Sequence, residues 1–297
     1  MDRKTPLIVD CHAHLWESTG QLGRSARTWR LTAHPAAGKS VSPYDLKMAA
    51  SPVNCTFLLG FRSQLLGINI PNKFIADCAY QYREGMIGFG SIDPTSDPIR
   101  VEADRIRSEY KLAGFVISPG GQGFHPTMTA AMTLYEYART HRMPVIVHNG
   151  QPFGVPAAEF SNPTLWAPVL REFGEVKFVF TDMGWPWVDP TLLLVGEFEN
   201  AFVDLAGLVQ NQWVGYQTLI KGYQMGLLDK FLLGSDYPGS GASATIEAIY
   251  SINQTVSNTN LPTIPRQRLR EIVERDALGL LGLEGFVAGS EGSNGNE

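Results

Sequence analysis

Eight short apolar, β-branched runs alternate with amphipathic stretches, no Pro/Gly/Ser-rich linker divides the middle of the chain, and about 240 residues hold all eight repeats; together these predict a single-domain α/β protein built as a (β/α)8 barrel. At 297 residues the chain has the length of two average domains, but a barrel of this kind uses roughly 250 residues as one. Hydrophobic residues make up 44% and charged residues 18%, enough apolar material for one large core and too much for a disordered chain.

Each strand rests on a nearly continuous apolar run, as expected of parallel strands covered on both faces. They are expected at residues 7–15, 53–61, 86–93, 113–118, 143–148, 177–183, 201–205 and 231–237. Residues 20–43 interrupt the alternation after the first strand. This polar insertion carries Arg24, Arg27, Arg30 and Lys39, and reads either as a lid over the barrel mouth or as a solvated loop. Helical spacing predicts helices at 72–84, 98–110, 127–141, 164–173, 190–198, 216–225 and 242–253, several opened by a proline or polar cap such as Pro71-Asn72, Asp97-Pro98 and Asp189-Pro190. An amphipathic stretch at 266–283 predicts a C-terminal helix. The barrel domain is thus expected over residues 1–287, with 288–297, mostly Gly, Ser, Asn and Glu, as a disordered tail.

Composition also narrows the partners. Lys and Arg total 24 against 29 for Asp and Glu, a net charge of -5 without a long run of either sign, so neither a nucleic-acid surface nor an anionic membrane is expected as a partner. The apolar runs fall far below the roughly 18 residues of a membrane span, and the N-terminus lacks a secretory apolar region, which makes the cytoplasm the expected compartment. Cys11, Cys55 and Cys78 are odd in number and sit in apolar contexts, so free buried thiols are expected.

In such a barrel the reactive groups project from the carboxyl ends of the strands, and polar residues there carry the functional argument. The first strand ends in Asp10-Cys11-His12-Ala13-His14, where a period of two puts both imidazoles on one face. Two neutral imidazoles on one face are half of a divalent metal site, although a His-x-His is also compatible with core or surface histidines. The fifth strand ends in Val147-His148 and the eighth in Gly234-Ser235-Asp236-Tyr237-Pro238, adding a third imidazole and a carboxylate. Beside a metal, Asp236 would both ligate and accept a proton; its structural alternative is a turn carboxylate. Arg62, after the second strand, is a candidate clamp for a substrate carboxylate or else a solvated arginine. Trp185 and Trp187, after the sixth strand, would wall a planar ligand or simply pack, and Tyr237 joins Trp185 and Arg62 as a substrate-binding candidate. Pro119-Gly120-Gly121-Gln122-Gly123 lacks the lysine of a phosphate-binding loop.

The motifs His12-Ala13-His14, Phe89-Gly90-Ser91-Ile92-Asp93-Pro94, Val147-His148, Met183-Gly184-Trp185-Pro186-Trp187 and Gly234-Ser235-Asp236-Tyr237-Pro238 resemble the amidohydrolase-related metal-dependent hydrolases, in the branch that holds aromatic-acid decarboxylases and lactonases. The resemblance spans about residues 7–283. It implies a barrel with one divalent ion, zinc first and manganese second, on His12, His14, His148 and Asp236, and it favours a homo-oligomer. The chain departs from that pattern in three places. No lysine ends the fourth strand (114–119), against a bridged two-metal centre; Asp182 stands where many members have histidine; and Asp276 stands where relatives often have asparagine, a position read as structural. Asp182 has three readings: an extra metal ligand, an acid or base paired with Asp236, or a carboxylate ion-paired with an arginine.

The implied chemistry is hydrolysis of an ester, lactone or amide of a small carboxylated, even aromatic, substrate, through a metal-activated water whose proton passes to Asp236. The alternative is non-oxidative decarboxylation of an aromatic or unsaturated acid at the same site, with Asp236 or Asp182 protonating carbon. A barrel without catalysis, serving as a scaffold, is the reading from a different class.

Overall fold

A computed structural model describes residues 7–27, 36–148, 153–208 and 211–286 of the chain. Its eight barrel strands are β1 (Val9–Ala13), β2 (Cys55–Leu59), β3 (Met86–Ser91), β4 (Gly114–Ile117), β5 (Val145–Val147), β6 (Phe178–Phe180), β7 (Ala201–Asp204) and β8 (Phe231–Leu232). Sheet order equals chain order, and every ladder is parallel. The last seam is closed by the amides of Cys11, His14 and Asp236, which donate to the carbonyls of Leu233, Tyr237 and His12 at 2.8, 2.8 and 3.0 Å. Every residue of all eight strands is buried, which explains why the runs read as continuously apolar rather than alternating. Phe57, Phe89, Phe115 and Phe178 are fully buried, each contributing about 1.5–3 kcal/mol of transfer free energy.

The helices that cover the barrel are α1 (Pro43–Ala49), α2 (Asn72–Gln81), α3 (Ile99–Asp104), α4 (Thr129–His141), α5 (Ala167–Glu172), α6 (Val188–Glu197), α7 (Gln212–Gln224) and α8 (Ala242–Ser251), followed by α9 (Arg266–Val273) and α10 (Ala277–Leu281). The expected single helix at 266–283 is two, because the Asp276 carboxylate accepts from the Gly279 amide and caps a new start, the structural role anticipated for it. Neither α1, with its Ser42/Asp45 capping box, nor the antiparallel ribbon of Arg62–Ser63 with Ile68–Asn69 was expected.

The strands also stop earlier than their apolar runs. Asp182, Met183 and Asp236 adopt φ of 59, 57 and 59°, a left-handed backbone that ends extended pairing. His14, His148, Asp182 and Asp236 therefore stand just beyond the strands, at the carboxyl-end face. Part of the insertion folds onto this end. Val41 bridges Trp16, whose Nε1 donates to the Lys39 carbonyl at 2.7 Å, and the Ser25 hydroxyl donates to the Phe153 carbonyl at 2.5 Å. Arg30 and the 288–297 tail lie outside the described residues. The three cysteines are free and buried, and among the described residues no helix is long and apolar enough to cross a membrane.

Candidate metal centre

Three imidazoles from β1 and β5 converge. His12 Nε2 lies 3.1 Å from His14 Nε2, which lies 3.0 Å from His148 Nε2, and all three residues are at most 1% exposed. The opposite ring nitrogens fix the tautomers. His12 Nδ1 donates to Asp204 Oδ2 at 2.9 Å and His14 Nδ1 donates to the Leu59 carbonyl at 2.8 Å; neither acceptor can supply a proton. With both Nδ1 atoms committed, the Nε2 atoms of His12 and His14 face each other at contact distance, so either a proton on His12 or a cation between the rings must bridge them. Phe153 meets His14 edge-on and stacks on Phe61, which in turn leans on His148, so an apolar wall excludes water from one side of the cluster.

Two carboxylates complete it. Asp182 and Asp236 offer oxygens that lie, with a His12 nitrogen, all within 4.8 Å of one another, and His12 Nε2 is 4.0 Å from Asp236 Oδ1. Both residues present an Oδ1 that is buried and finds no hydrogen-bond partner among the described residues. Orphaned acceptors of this kind, facing ordered imidazole lone pairs, fit a divalent cation. Glycines make the approach possible. A Cβ on Gly234 would stand 3.1 Å from both His12 Cβ and Asp204 Cγ, and one on Gly184, at φ 70°, would fall 1.9 Å from Thr191 Oγ1.

The electrostatics follow from burial and crowding. Burial pulls the His12 imidazole down, but Asp204, Asp182 and Asp236 outweigh it and push it up to about 10. Burial and the neighbouring imidazoles hold His14 and His148 well below the usual histidine value. Burial pushes Asp182 up to about 7 against the pull of His12, and lifts Asp236 well above the usual carboxylate range, with Asp182, Asp204 and Asp10 adding to the rise.

The other candidates are placed differently. The Arg62 guanidinium forms a bidentate pair with Asp97 at 3.0 and 3.1 Å and reaches Glu102 at 3.4 Å, so its charge is compensated within the fold rather than offered to an incoming anion. Trp185 stays 41% exposed on the rim, its amide donating to the Asp182 carbonyl at 2.8 Å. Tyr237 carries the closing seam through its backbone, while burial and the Asp45 carboxylate of α1 raise its phenol pKa. Of the three readings of Asp182, the arginine pair is not realised: among the described residues its charged neighbours are His12, Asp204 and Asp236. The stretch at 119–123 forms one helical turn capped by Ser118 and packed against Ser161, which accounts for its glycines.

Two residues that the sequence reading passed over hold the site together. Asp204 orients His12 and accepts from the amides of Asp182 and Ala206 at 2.9 and 3.1 Å. Asp10 accepts from the Ser235 hydroxyl at 2.6 Å and from the amides of Ser235 and His12 at 2.8 and 3.2 Å, clasping β1 to the β8 loop. Asp204 ends a strand, the filter that selected the histidines, and Asp10 shares their period of two, so both signals were present. Asp204→Asn is expected to weaken metal binding about 10–100-fold. With Oδ1 still accepting both amides, the new amide NH2 faces His12 Nδ1 and drives the ring proton to Nε2. Competition with a calibrated chelator measures this, and an unchanged affinity would remove the orienting role.

A sequence profile described as amidohydrolase matches residues 9–281. Comparison with curated proteins finds no match. Among solved structures, an amidohydrolase from Burkholderia multivorans with bound zinc is 14% identical at a TM-score of 0.70, covering 93% of this chain and 99% of its own. A probable 2-pyrone-4,6-dicarboxylic acid hydrolase from Acinetobacter baumannii with citric acid bound is 14% identical at 0.63, covering 93% and 99%. A dihydroxybenzoic acid decarboxylase from Polaromonas sp. JS666, with manganese and 2-nitroresorcinol, is 14% identical at 0.66, covering 94% and 98%. These likenesses establish the barrel fold.

Proposed function

The chain belongs to the amidohydrolase family, and from that premise we propose that it is a metal-dependent hydrolase cleaving an ester, lactone or amide of a small carboxylated substrate. The observation that carries this reading is a pair of buried clusters at the carboxyl ends of the strands, His12 with His14 and His148 and His12 with Asp182 and Asp236, joined through His12. His12, His14, His148 and Asp236 would hold the ion, zinc or manganese as in the relatives above. When bound, a divalent cation supplies a lowered pKa for water, toward about 7, and a polarised carbonyl.

The chain's own groups do the rest. Asp204 and the Leu59 carbonyl keep the His12 and His14 protons on Nδ1, leaving Nε2 to ligate. Asp236, with one oxygen free of hydrogen bonds, takes the proton of the attacking water and returns it to the leaving oxygen or nitrogen. The Phe61–Phe153 stack keeps bulk water from that side, and exposed Trp185 offers a planar face at the rim. The names of the pyrone-dicarboxylic acid hydrolase and the dihydroxybenzoic acid decarboxylase support a small carboxylic acid as substrate.

One observation favours a second reading, non-oxidative decarboxylation. Burial raises both Asp182 and Asp236, so a carboxylic acid able to protonate a ring carbon is available near neutrality. A panel of lactones and hydroxybenzoates in 18O-labelled water, with carbon dioxide followed, separates the two. Label in the product without gas is the expected result. Gas without label would replace hydrolysis by decarboxylation, and full activity in chelator would overturn metal dependence in both.

A further inference from the structure

Among the described residues four buried carboxylates act on His12 or one another, Asp10, Asp182, Asp204 and Asp236, and their hydrogen bonds sort them into two kinds. Asp10 and Asp204 use both oxygens on the chain itself: Asp10 on Ser235 and the His12 amide, Asp204 on the His12 ring and the amides of Asp182 and Ala206. Asp182 and Asp236, 4% and 7% exposed, each keep an Oδ1 with no partner among the described residues. A buried acceptor left unpaired is costly, more so when charged, so two of them side by side point to one missing positive partner.

We propose that Asp182 is itself a ligand of the divalent cation, which makes the site three imidazoles and two carboxylates. This deepens the hydrolase reading and rests on it. His12 is the shared member, belonging both to the triple-imidazole cluster and to the His12, Asp182, Asp236 cluster, each with donor atoms within 4.8 Å of one another. The Thr181 hydroxyl donates to Asp182 Oδ2 at 2.5 Å, so Oδ1 is the oxygen left to ligate. The two acids are also held alike. Both sit at φ 59°, with the Asp182 amide tied to Asp204 Oδ1 at 2.9 Å and the Asp236 amide tied to the His12 carbonyl at 3.0 Å.

Charge balance supports the second carboxylate. Counted over its direct ligands alone, a divalent cation on three neutral imidazoles becomes neutral with two carboxylates, and Asp182 and Asp236 are the pair whose oxygens the described residues leave unpaired. Among the described residues no lysine or arginine is paired with either acid to do this instead. Five protein ligands with two hard oxygens exceed a tetrahedral zinc set and suit manganese.

Cobalt(II) bound to the wild-type protein is expected to show the weak visible bands of five- or six-coordination. Asp182→Asn removes the anionic ligand and is expected to shift them toward the more intense bands of a lower-coordinate ion and to bind at least about tenfold more weakly, since losing a ligand costs no less than losing a ligand's hydrogen-bond partner. Unchanged bands and affinity, with one equivalent bound, overturn the proposal and leave the hydrolase reading standing. A wild-type protein that takes up no cation overturns both. If Asp182→Asn does not fold, a crystal structure of manganese-loaded wild-type protein decides: an Asp182 oxygen at about 2.2 Å from the ion supports ligation, and one outside bonding range ends it.

Discussion

Asp236→Asn is expected to lower kcat by about 10³-fold while leaving the metal-free fold intact. The two effects separate because the carboxylate is held by its backbone rather than by its side chain. The Asp236 amide donates to the His12 carbonyl at 3.0 Å, and its own carbonyl accepts from Gly239 at 2.7 Å, contacts that asparagine keeps. Oδ1 has no hydrogen bond to lose, and asparagine removes an acid that burial already disfavours in its charged form. What is lost is a negative ligand and the only proton carrier the mechanism assigns. Steady-state kinetics alongside thermal melts of chelated protein test this; a kcat near that of the wild type would end the proton-transfer role of Asp236.

The barrel strands and the side-by-side placement of His12 and His14 were legible in the sequence because both depend on short-range pattern. Continuous burial writes the strands as apolar runs, and the period of two sets His12 and His14 side by side. Partners distant in sequence were not legible. His12 finds Asp204 192 residues away, and Arg62, plausible as an anion clamp from its place after β2, is claimed by Asp97 and Glu102 through packing that no local pattern records. Strand ends blurred for another reason. Asp182 and Asp236 sit in left-handed backbone inside otherwise apolar stretches, so pairing stops where hydropathy does not. The split of the C-terminal helix has a local cause, the Asp276 cap, visible only once its hydrogen bond is seen.

Cation binding is expected to release protons and to tighten with rising pH between about 7 and 9. His12, pushed up to about 10, keeps a proton across this range when no cation is bound, and Asp236 is raised as well. Ligation needs the neutral imidazole and the carboxylate, so each displaced proton adds about one decade of apparent affinity per pH unit. The same shifts set the stability of chelated protein. Because the folded His12 value lies above the unfolded 6.5, its contribution is full below that pH and is lost as pH rises toward about 10. Asp182, raised from 3.8 to about 7, acts with the same sign but over a lower window that closes near neutrality. His14 and His148, held low, favour the fold increasingly only up to the unfolded histidine value and add nothing above it. Above pH 7 the chelated protein therefore loses stability while the loaded protein, its protons replaced by the ion, does not. The gap in Tm between loaded and chelated samples should be wider at pH 9 than at pH 7. Calorimetric titration in two buffers of different ionisation enthalpy should count at least one proton released per ion at pH 7.5. An equal gap at both pH values with no proton released would mean that His12 and Asp236 do not hold the cation.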